Sequence, residues 1–174
     1  MIKTAYFGEF RGPGWPTAEQ LAPYFFAGQQ PPWTFKGRND NWGLDAKGLY
    51  GTETLPDLDR VNVHLSMTGH PAKGVMIQYR KWDGTIRKAE TFYSGGDLTQ
   101  RLRFINSVHG TPLSLGLFIP FGAAWRAVKE FIETDGELPK AIDWIAGRDL
   151  PDDTFPDMGD REAMKKIRYV NPME

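Results

Sequence analysis

The residues that could carry out chemistry are few and scattered. The chain has 174 residues, no cysteine and three histidines, at His64, His70 and His109. No two of these histidines have the HExxH spacing of a zinc protease. The absence of cysteine excludes disulfides, thiol nucleophiles and cysteine-based zinc sites. A histidine without partners at a fixed spacing is usually an ordinary strand or surface residue, and we expect that role for all three.

Two short segments resemble fragments of catalytic motifs. Ser94-Gly95-Gly96 has the small residues of a phosphate loop but lacks the Lys that must follow, so a turn is expected. The sequence has no G-x-S-x-G motif, the nucleophile signature of an α/β-hydrolase. Asp152 and Asp153 could bind a metal or transfer protons, but adjacent loop side chains seldom converge on one point. We therefore expect no catalytic residue, no metal and no cofactor.

The acidic residues are concentrated in the last third of the chain. Ten acidic and four basic residues lie between Arg126 and Asp160, although the net charge of the whole chain is −1. A near-neutral chain is not a general nucleic-acid binder. An acidic surface with a few aromatic anchors suits a basic partner protein, whereas the alternative is a solvated face without a partner. The predicted partner-binding residues are Glu137, Asp143, Trp144, Asp149, Asp152, Asp153, Phe155 and Asp157.

A second candidate surface lies in the glycine- and aromatic-rich region from Trp33 to Tyr50. Aromatic side chains on loops are effective binding anchors, whereas in a β-rich core the same residues are simply buried. The alternative partner-binding residues are Trp33, Phe35, Trp42 and Tyr50.

The first half of the chain is dominated by strand patterns. Ile2–Phe10 predicts a strand, the RGPGWP segment interrupts it, and a helix is expected near Thr17–Ala27. Thr17 and Gln20 have the spacing of a capping box, and Gly28 can end this helix. Residues 33–55 predict only short strands and loops. Residues 60–93 alternate with period two across two turns, one of them Asp83-Gly84, which predicts a three-stranded antiparallel meander.

The second half contains the best helix pattern. Thr111–Ile119 predicts a strand, and residues 98–108 fit either a helix or a strand. Phe121, Trp125, Val128, Phe131 and Ile132 share one face of a predicted helix over Phe121–Asp135. Gly136 is expected as its left-handed cap, Ala141–Ile145 as a strand and Arg161–Arg168 as a last short helix. The pattern predicts a single α+β domain, with a mainly antiparallel sheet of about six strands and this amphipathic helix packed on one face.

The segment LFIPFGAAWRAVKEFIETDGELPKAIDWI, residues 117–145, resembles immunity protein family 1 of bacterial polymorphic toxin systems. The matching features are a strand ending in Ile119-Pro120, an amphipathic helix around Val128–Ile132, Gly136, Pro139 and the acidic-Trp pair Asp143-Trp144. The similarity extends loosely over residues 60–158. Residues 1–55 have no counterpart and form an N-terminal extension of the same domain.

This resemblance implies a protein that binds a cognate toxin and blocks its active site without catalysis. Many toxins of such systems act on nucleic acid, and the substrate groove of such a toxin is basic, so the acidic segment is a suitable occupant. Two other classes remain open: a hydrolase with a dispersed carboxylate site, and a regulatory protein-binding domain. The N-terminus lacks a signal-peptide core and no apolar run reaches about 20 residues, so a cytoplasmic location without a membrane partner is expected.

Overall fold

The computed structural model describes residues 1–26, 33, 41–107 and 109–170, which form an α+β fold with a large antiparallel sheet. The predicted fold class is therefore confirmed. Within the described residues the large sheet has eight strands, where about six were predicted, and a smaller sheet has three. Several of the additional strands are only two to four residues long, which is too short for a period-two pattern to show.

The large sheet is a meander that was extended at both edges. Its strands are β1 (Ile2–Phe7), β2 (Phe10–Pro13), β3 (Asn41–Lys47), β4 (Val61–His70), β5 (Gly74–Asp83), β6 (Lys88–Ser94), β9 (Phe118–Ile119) and β10 (Trp144–Ala146). The spatial order is β10-β6-β5-β4-β3-β1-β2, and all neighbours are antiparallel. β9 pairs with β5 beyond the end of β6. The predicted β4–β5–β6 meander is confirmed.

The two faces of this sheet have different characters. On the inner face, the apolar residues Val61, Val63, Leu65 and Met67 of β4 are buried in the main core. The alternate residues of β4, Asn62 to Thr68, lie half-buried on the opposite, outer face. This alternation was predicted from the sequence and follows from the two-residue repeat of a strand.

Two helices cover the inner face. α1 (Ala18–Phe26) buries Leu21, Tyr24 and Phe25. The predicted capping box at its start is present: Thr17 N–H donates to the Gln20 side chain at 2.8 Å, and Gln20 N–H donates to Thr17 Oγ1 at 3.3 Å. Gly28, which was expected to end this helix, lies outside the described residues.

α2 (Phe121–Glu133) is the predicted amphipathic helix. Ala124, Ala127, Val128 and Phe131 are buried, and Phe121, Trp125 and Ile132 pack at the edge of the same core. The end of α2 corrects one prediction. Gly136 was expected as the left-handed cap, but the first left-handed residue after the helix is Asp135 (φ 57°), and Gly136 (φ 102°) follows it. Gly136 N–H donates to Phe131 O at 2.9 Å and Asp135 N–H to Ile132 O at 3.3 Å, which is the Schellman arrangement.

A second layer covers part of the outer face. The small sheet contains β7 (Arg103–Asn106), β8 (Pro112–Ser114) and β11 (Arg168–Tyr169), in the order β11-β7-β8. The short helix α3 (Arg161–Lys166) precedes β11. These elements share a second apolar cluster with the outer-face residues of the large sheet, which contains Met76, Ile105, Leu117, Phe118, Leu150 and Val170.

Three predicted elements need correction. The predicted break at Arg11–Pro16 includes β2, an edge strand where Pro13 costs no ladder hydrogen bond. The predicted strand Thr111–Ile119 is divided into β8, a 3₁₀ turn at Leu115–Leu117 and β9, because the chain passes there from the small sheet to the large one. Of the segment 98–108, residues 98–107 are described and combine a 3₁₀ turn with β7, so neither predicted alternative covers them fully.

Candidate functional site

An acidic cleft of about 370 Å³ lies between the turn at Asp152–Thr154 and α3. Its lining contains five carboxylates, one lysine and six apolar residues. The acidic lining residues are Asp152, Asp153, Asp157, Asp160 and Glu162. The apolar ones are Leu102, Phe104, Phe155, Pro156, Ala163 and Ile167, and Lys166 is the basic one.

Local hydrogen bonds hold the walls of this cleft in place. Asp160 caps α3, since its carboxylate accepts from the backbone N–H of Glu162 at 2.9 Å and of Ala163 at 3.3 Å. Asp157 accepts from Gly159 N–H at 2.8 Å, which closes the preceding turn. On the far side of α3, Val170 is buried and its N–H donates to Phe104 O at 2.8 Å. The cleft is therefore built on backbone turns anchored to the second layer.

Most of the carboxylates that line the cleft are available to a partner. Asp152, Asp153 and Asp157 are all exposed. Asp153 is in a loose ion pair with Arg101 at 3.4 Å, and both side chains are well exposed. An exposed pair of this kind is screened by solvent and contributes little to stability. These carboxylates can therefore be re-paired with the cations of another protein at small cost.

Phe155 is the exposed aromatic residue of the cleft. Its side chain is 45% exposed, and its ring lies 4.8 Å from that of Tyr93 on β6. Met158, on the same loop, is 55% exposed. An aromatic ring that is supported from below and open above is a typical anchor of a protein interface. Phe155, one of the predicted partner-binding residues, therefore lies at the exposed surface of the cleft.

The structure divides the predicted acidic set into two groups. Asp152, Asp153, Phe155 and Asp157 line the cleft, whereas Glu137 and Trp144 line a separate groove of about 590 Å³ at the end of α2. Asp143 and Asp149 are exposed between them, near the edge strand β10, and Asp149 is 3.7 Å from Arg148. Net charge along the sequence could not reveal this division, because it depends on which side of β10 each loop packs.

Two of the residues predicted for the second surface, Trp33 and Trp42, are buried. Trp33 has no exposed area and Trp42 is 2% exposed, since both belong to a cluster of rings on the inner face with Phe7, Tyr24 and Phe25. Their burial corrects the prediction that these two residues contact a partner. Phe35 lies outside the described residues.

Tyr50 is the exception in that set. It is 61% exposed, and its hydroxyl donates to Glu137 at 2.6 Å. The structure thus brings together one residue from each of the two predicted surfaces.

A polar network that was not predicted from the sequence lies on the outer face. His64 Nδ1 lies 2.5 Å from Asp45 Oδ1, and the Tyr6 hydroxyl lies 3.2 Å from His64 Nε2. Asp45 and His64 are directly paired across β3 and β4. Period-two alternation places His64 on the polar face. Its partners lie on strands that are distant in sequence, so no local residue spacing predicts these contacts.

In this network each nitrogen of the His64 ring has a partner. When Asp45 accepts from Nδ1–H, the lone pair of Nε2 is the acceptor for Tyr6, so both ring nitrogens are occupied. Burial raises the pKa of Tyr6 to about 12, the Asp45 charge adds to this rise, and Arg80 opposes it. A phenol with such a pKa stays protonated and is a poor base or nucleophile near neutral pH.

The pKa values of two carboxyl groups are shifted by hydrogen bonds within turns. Hydrogen bonds from Thr85 lower the pKa of Asp83, and those from Thr99 lower that of Asp97. A general acid requires the opposite shift. Among the described residues, no group of three or more His, Asp or Glu side chains could hold a metal ion.

None of the helices in the described part of the chain has the length and apolar character of a membrane span. No protein-family model, no curated protein and no solved structure matches this chain.

Proposed function

We propose that this chain is a cytoplasmic immunity protein that binds a cognate bacterial toxin and covers its active site without catalysing a reaction. The observation that carries the proposal is the acidic cleft, whose lining combines five mainly exposed carboxylates with six apolar residues. A second source of support is the resemblance of residues 117–145, which form β9, α2 and β10.

Charge supports a basic partner. The cleft has five carboxylates against one lysine, so its potential attracts a protein with a cationic surface and repels acidic ones. A toxin that acts on nucleic acid needs a cationic substrate groove. The charge of such a groove is complementary to that of the acidic cleft. The apolar lining residues, including Phe155, then lose their contact with water only when the partner is bound.

The experiment is co-expression with the product of the adjacent gene, followed by kinetics of binding. We expect the chain to restore growth and to co-purify with that product. In the purified pair, conversion of the exposed cleft residues Asp152, Asp153, Asp157 and Glu162 to their amides should lower the association rate at low salt at least tenfold and flatten its salt dependence.

A matched variant separates local from global charge effects. Conversion of Glu19, Asp57, Asp59 and Glu90 to their amides changes the net charge by the same amount at positions outside the cleft, and the association rate of this variant should stay within about threefold of the original. An equal loss in both variants, or an unchanged rate in the first, would show that the cleft is not the binding surface.

A further inference from the structure

α2 ends in a group of carboxylates, which is the opposite of what the helix dipole favours. Its last turn contains no basic residue, and Glu130 and Glu133 occupy that turn, followed by Asp135 and Glu137. The last carbonyl groups of a helix carry partial negative charge, so Lys or Arg is the favourable residue type there. A local rule that is broken this clearly is characteristic of a functional position.

Two of these four carboxylates are compensated within the chain. Lys3 pairs with Asp135, and Lys129 lies 3.6 Å from Glu133. Glu130 and Glu137 are in no ion pair among the described residues. Glu130 accepts from Ala141 N–H at 2.8 Å and Glu137 from the Tyr50 hydroxyl at 2.6 Å. These hydrogen bonds position the two carboxylates but do not neutralise them.

Glu130 and Glu137 both line the groove at the end of α2. The groove has a volume of about 590 Å³, and its walls include the apolar side chains of Leu138, Ile142 and Trp144. The Trp144 indole N–H donates to Pro139 O at 2.6 Å, which fixes the orientation of the ring. Lys140 is the basic residue among the lining residues, so the two carboxylates outnumber it.

Tyr50 is held beside Glu137 in a strained backbone conformation. Its φ of 57° is rare for a bulky residue, and the glycines on either side, Gly48 and Gly51, also have positive φ. The ammonium group of Lys81 lies 5.1 Å from the centre of the ring. Strain that survives at an exposed aromatic side chain indicates that the position of that side chain matters.

We propose that this groove binds a lysine or arginine side chain of the partner protein. The aliphatic stem lies along Leu138, Ile142 and the Trp144 ring, and the charged head lies between Glu137 and the carbonyl end of α2. The charged head is attracted by the uncompensated carboxylates and by the C-terminal end of the helix dipole. The face of the Trp144 ring adds a cation–π attraction. The inference rests on the proposed function only in assuming that the partner is a toxin.

The groove can be tested without the partner, by NMR titration with tripeptides of arginine, lysine or glutamate. The signal to follow is the Trp144 indole N–H, because it reports on this groove and not on the acidic cleft. Saturable shifts are expected with both cationic peptides, severalfold tighter for arginine since its planar head stacks on the indole. The glutamate peptide should produce none.

Two charge-neutralising variants sharpen the titration. Glu137→Gln keeps an acceptor for Tyr50 but removes the charge. It should lower the affinity for the cationic peptides, measured at the Trp144 indole N–H, at least fivefold. The control is Glu19→Gln, at the start of α1, where an acidic residue suits the dipole; it should leave peptide binding unchanged. Equal binding by both variants, or an equal response to the glutamate peptide, would overturn the proposal.

Stability provides a second, independent measurement. In the free protein Glu137→Gln should leave the Tm unchanged or raise it, because it removes an unfavourable charge, whereas Glu19→Gln should lower it slightly. A clear fall in Tm for Glu137→Gln would show that the carboxylate serves the fold instead of a ligand.

The two proposals fail in different ways. If co-expression restores growth but Glu137→Gln does not weaken the complex, only the groove is excluded. If the adjacent gene product does not bind, the toxin partner is excluded, while a positive peptide titration still defines a cation site.

Discussion

The ring of Tyr6 lies over the backbone of Gly43, its direct cross-strand partner between β1 and β3. A Cβ at position 43 would overlap the phenol ring, so only glycine leaves room for it there. By crossing β3 at this point, the Tyr6 side chain reaches His64 on β4. The absence of one side chain on the middle strand thus permits a contact between two strands that are not neighbours.

Gly43→Ala should therefore displace Tyr6 and destabilise the fold by about 1–3 kcal/mol, the usual cost of overpacking. Urea unfolding measures it. Tyr6→Ala in the Gly43→Ala background provides the control, because removal of the ring should recover most of the loss if the overlap is its cause. A double variant that loses the full sum of the two single effects would contradict this explanation.

The raised pKa of Tyr6 predicts how stability changes in alkali. Its folded-state pKa of about 12 exceeds the ordinary value of 10.0. The folded state therefore holds this proton more tightly, so the stabilisation is fully present below pH 10 and is lost as pH rises from 10 towards 12. Tyr6→Phe cannot lose this proton, and the stability difference between wild type and Tyr6→Phe should shrink over that window. A constant difference from pH 9 to pH 12 would contradict the assignment.

Ser94 should be the most sensitive small polar residue of the large sheet. It is fully buried, accepts from Ile77 N–H at 2.9 Å and donates to Leu117 O at 2.7 Å. These bonds lie where β5 changes its partner from β6 to β9, so no backbone group replaces them. Ser94→Ala leaves both groups unsatisfied and should cost about 3 kcal/mol. Ser66→Ala, at a half-buried position with one long hydrogen bond, should cost less than about 1 kcal/mol.

Trp33 should be essential for stability. Its ring has no exposed area, its indole N–H donates to Tyr24 O at 2.7 Å, and it packs directly on Gly69. Trp33→Ala creates a large cavity and should cost about 3–5 kcal/mol in thermal or urea unfolding. Phe26→Ala removes an exposed ring of the neighbouring helix and should cost about 1 kcal/mol or less. Equal losses from both substitutions would argue against the packing of Trp33.

The elements whose signals are local could be predicted from the sequence. The alternation of β4, the capping box of Thr17 and Gln20 and the apolar face of α2 are each written within a few residues, and each was found where predicted. Local signals suffice because period and capping depend on backbone geometry within one or two turns of the chain. The concentration of carboxylates after Arg126 was likewise visible in the sequence.

Contacts between side chains that are distant in the chain became visible only in the assembled fold. Burial of Trp33 and Trp42, the contact of Tyr50 with Glu137, the Asp45–His64–Tyr6 network and the division of the acidic segment all join strands and loops that are remote in the chain. Such contacts depend on strand order and register, and a one-residue shift of register would move every side chain to the other face. Composition and spacing contain no information on register between distant strands, so an aromatic anchor and an aromatic core residue look alike until the sheet is assembled.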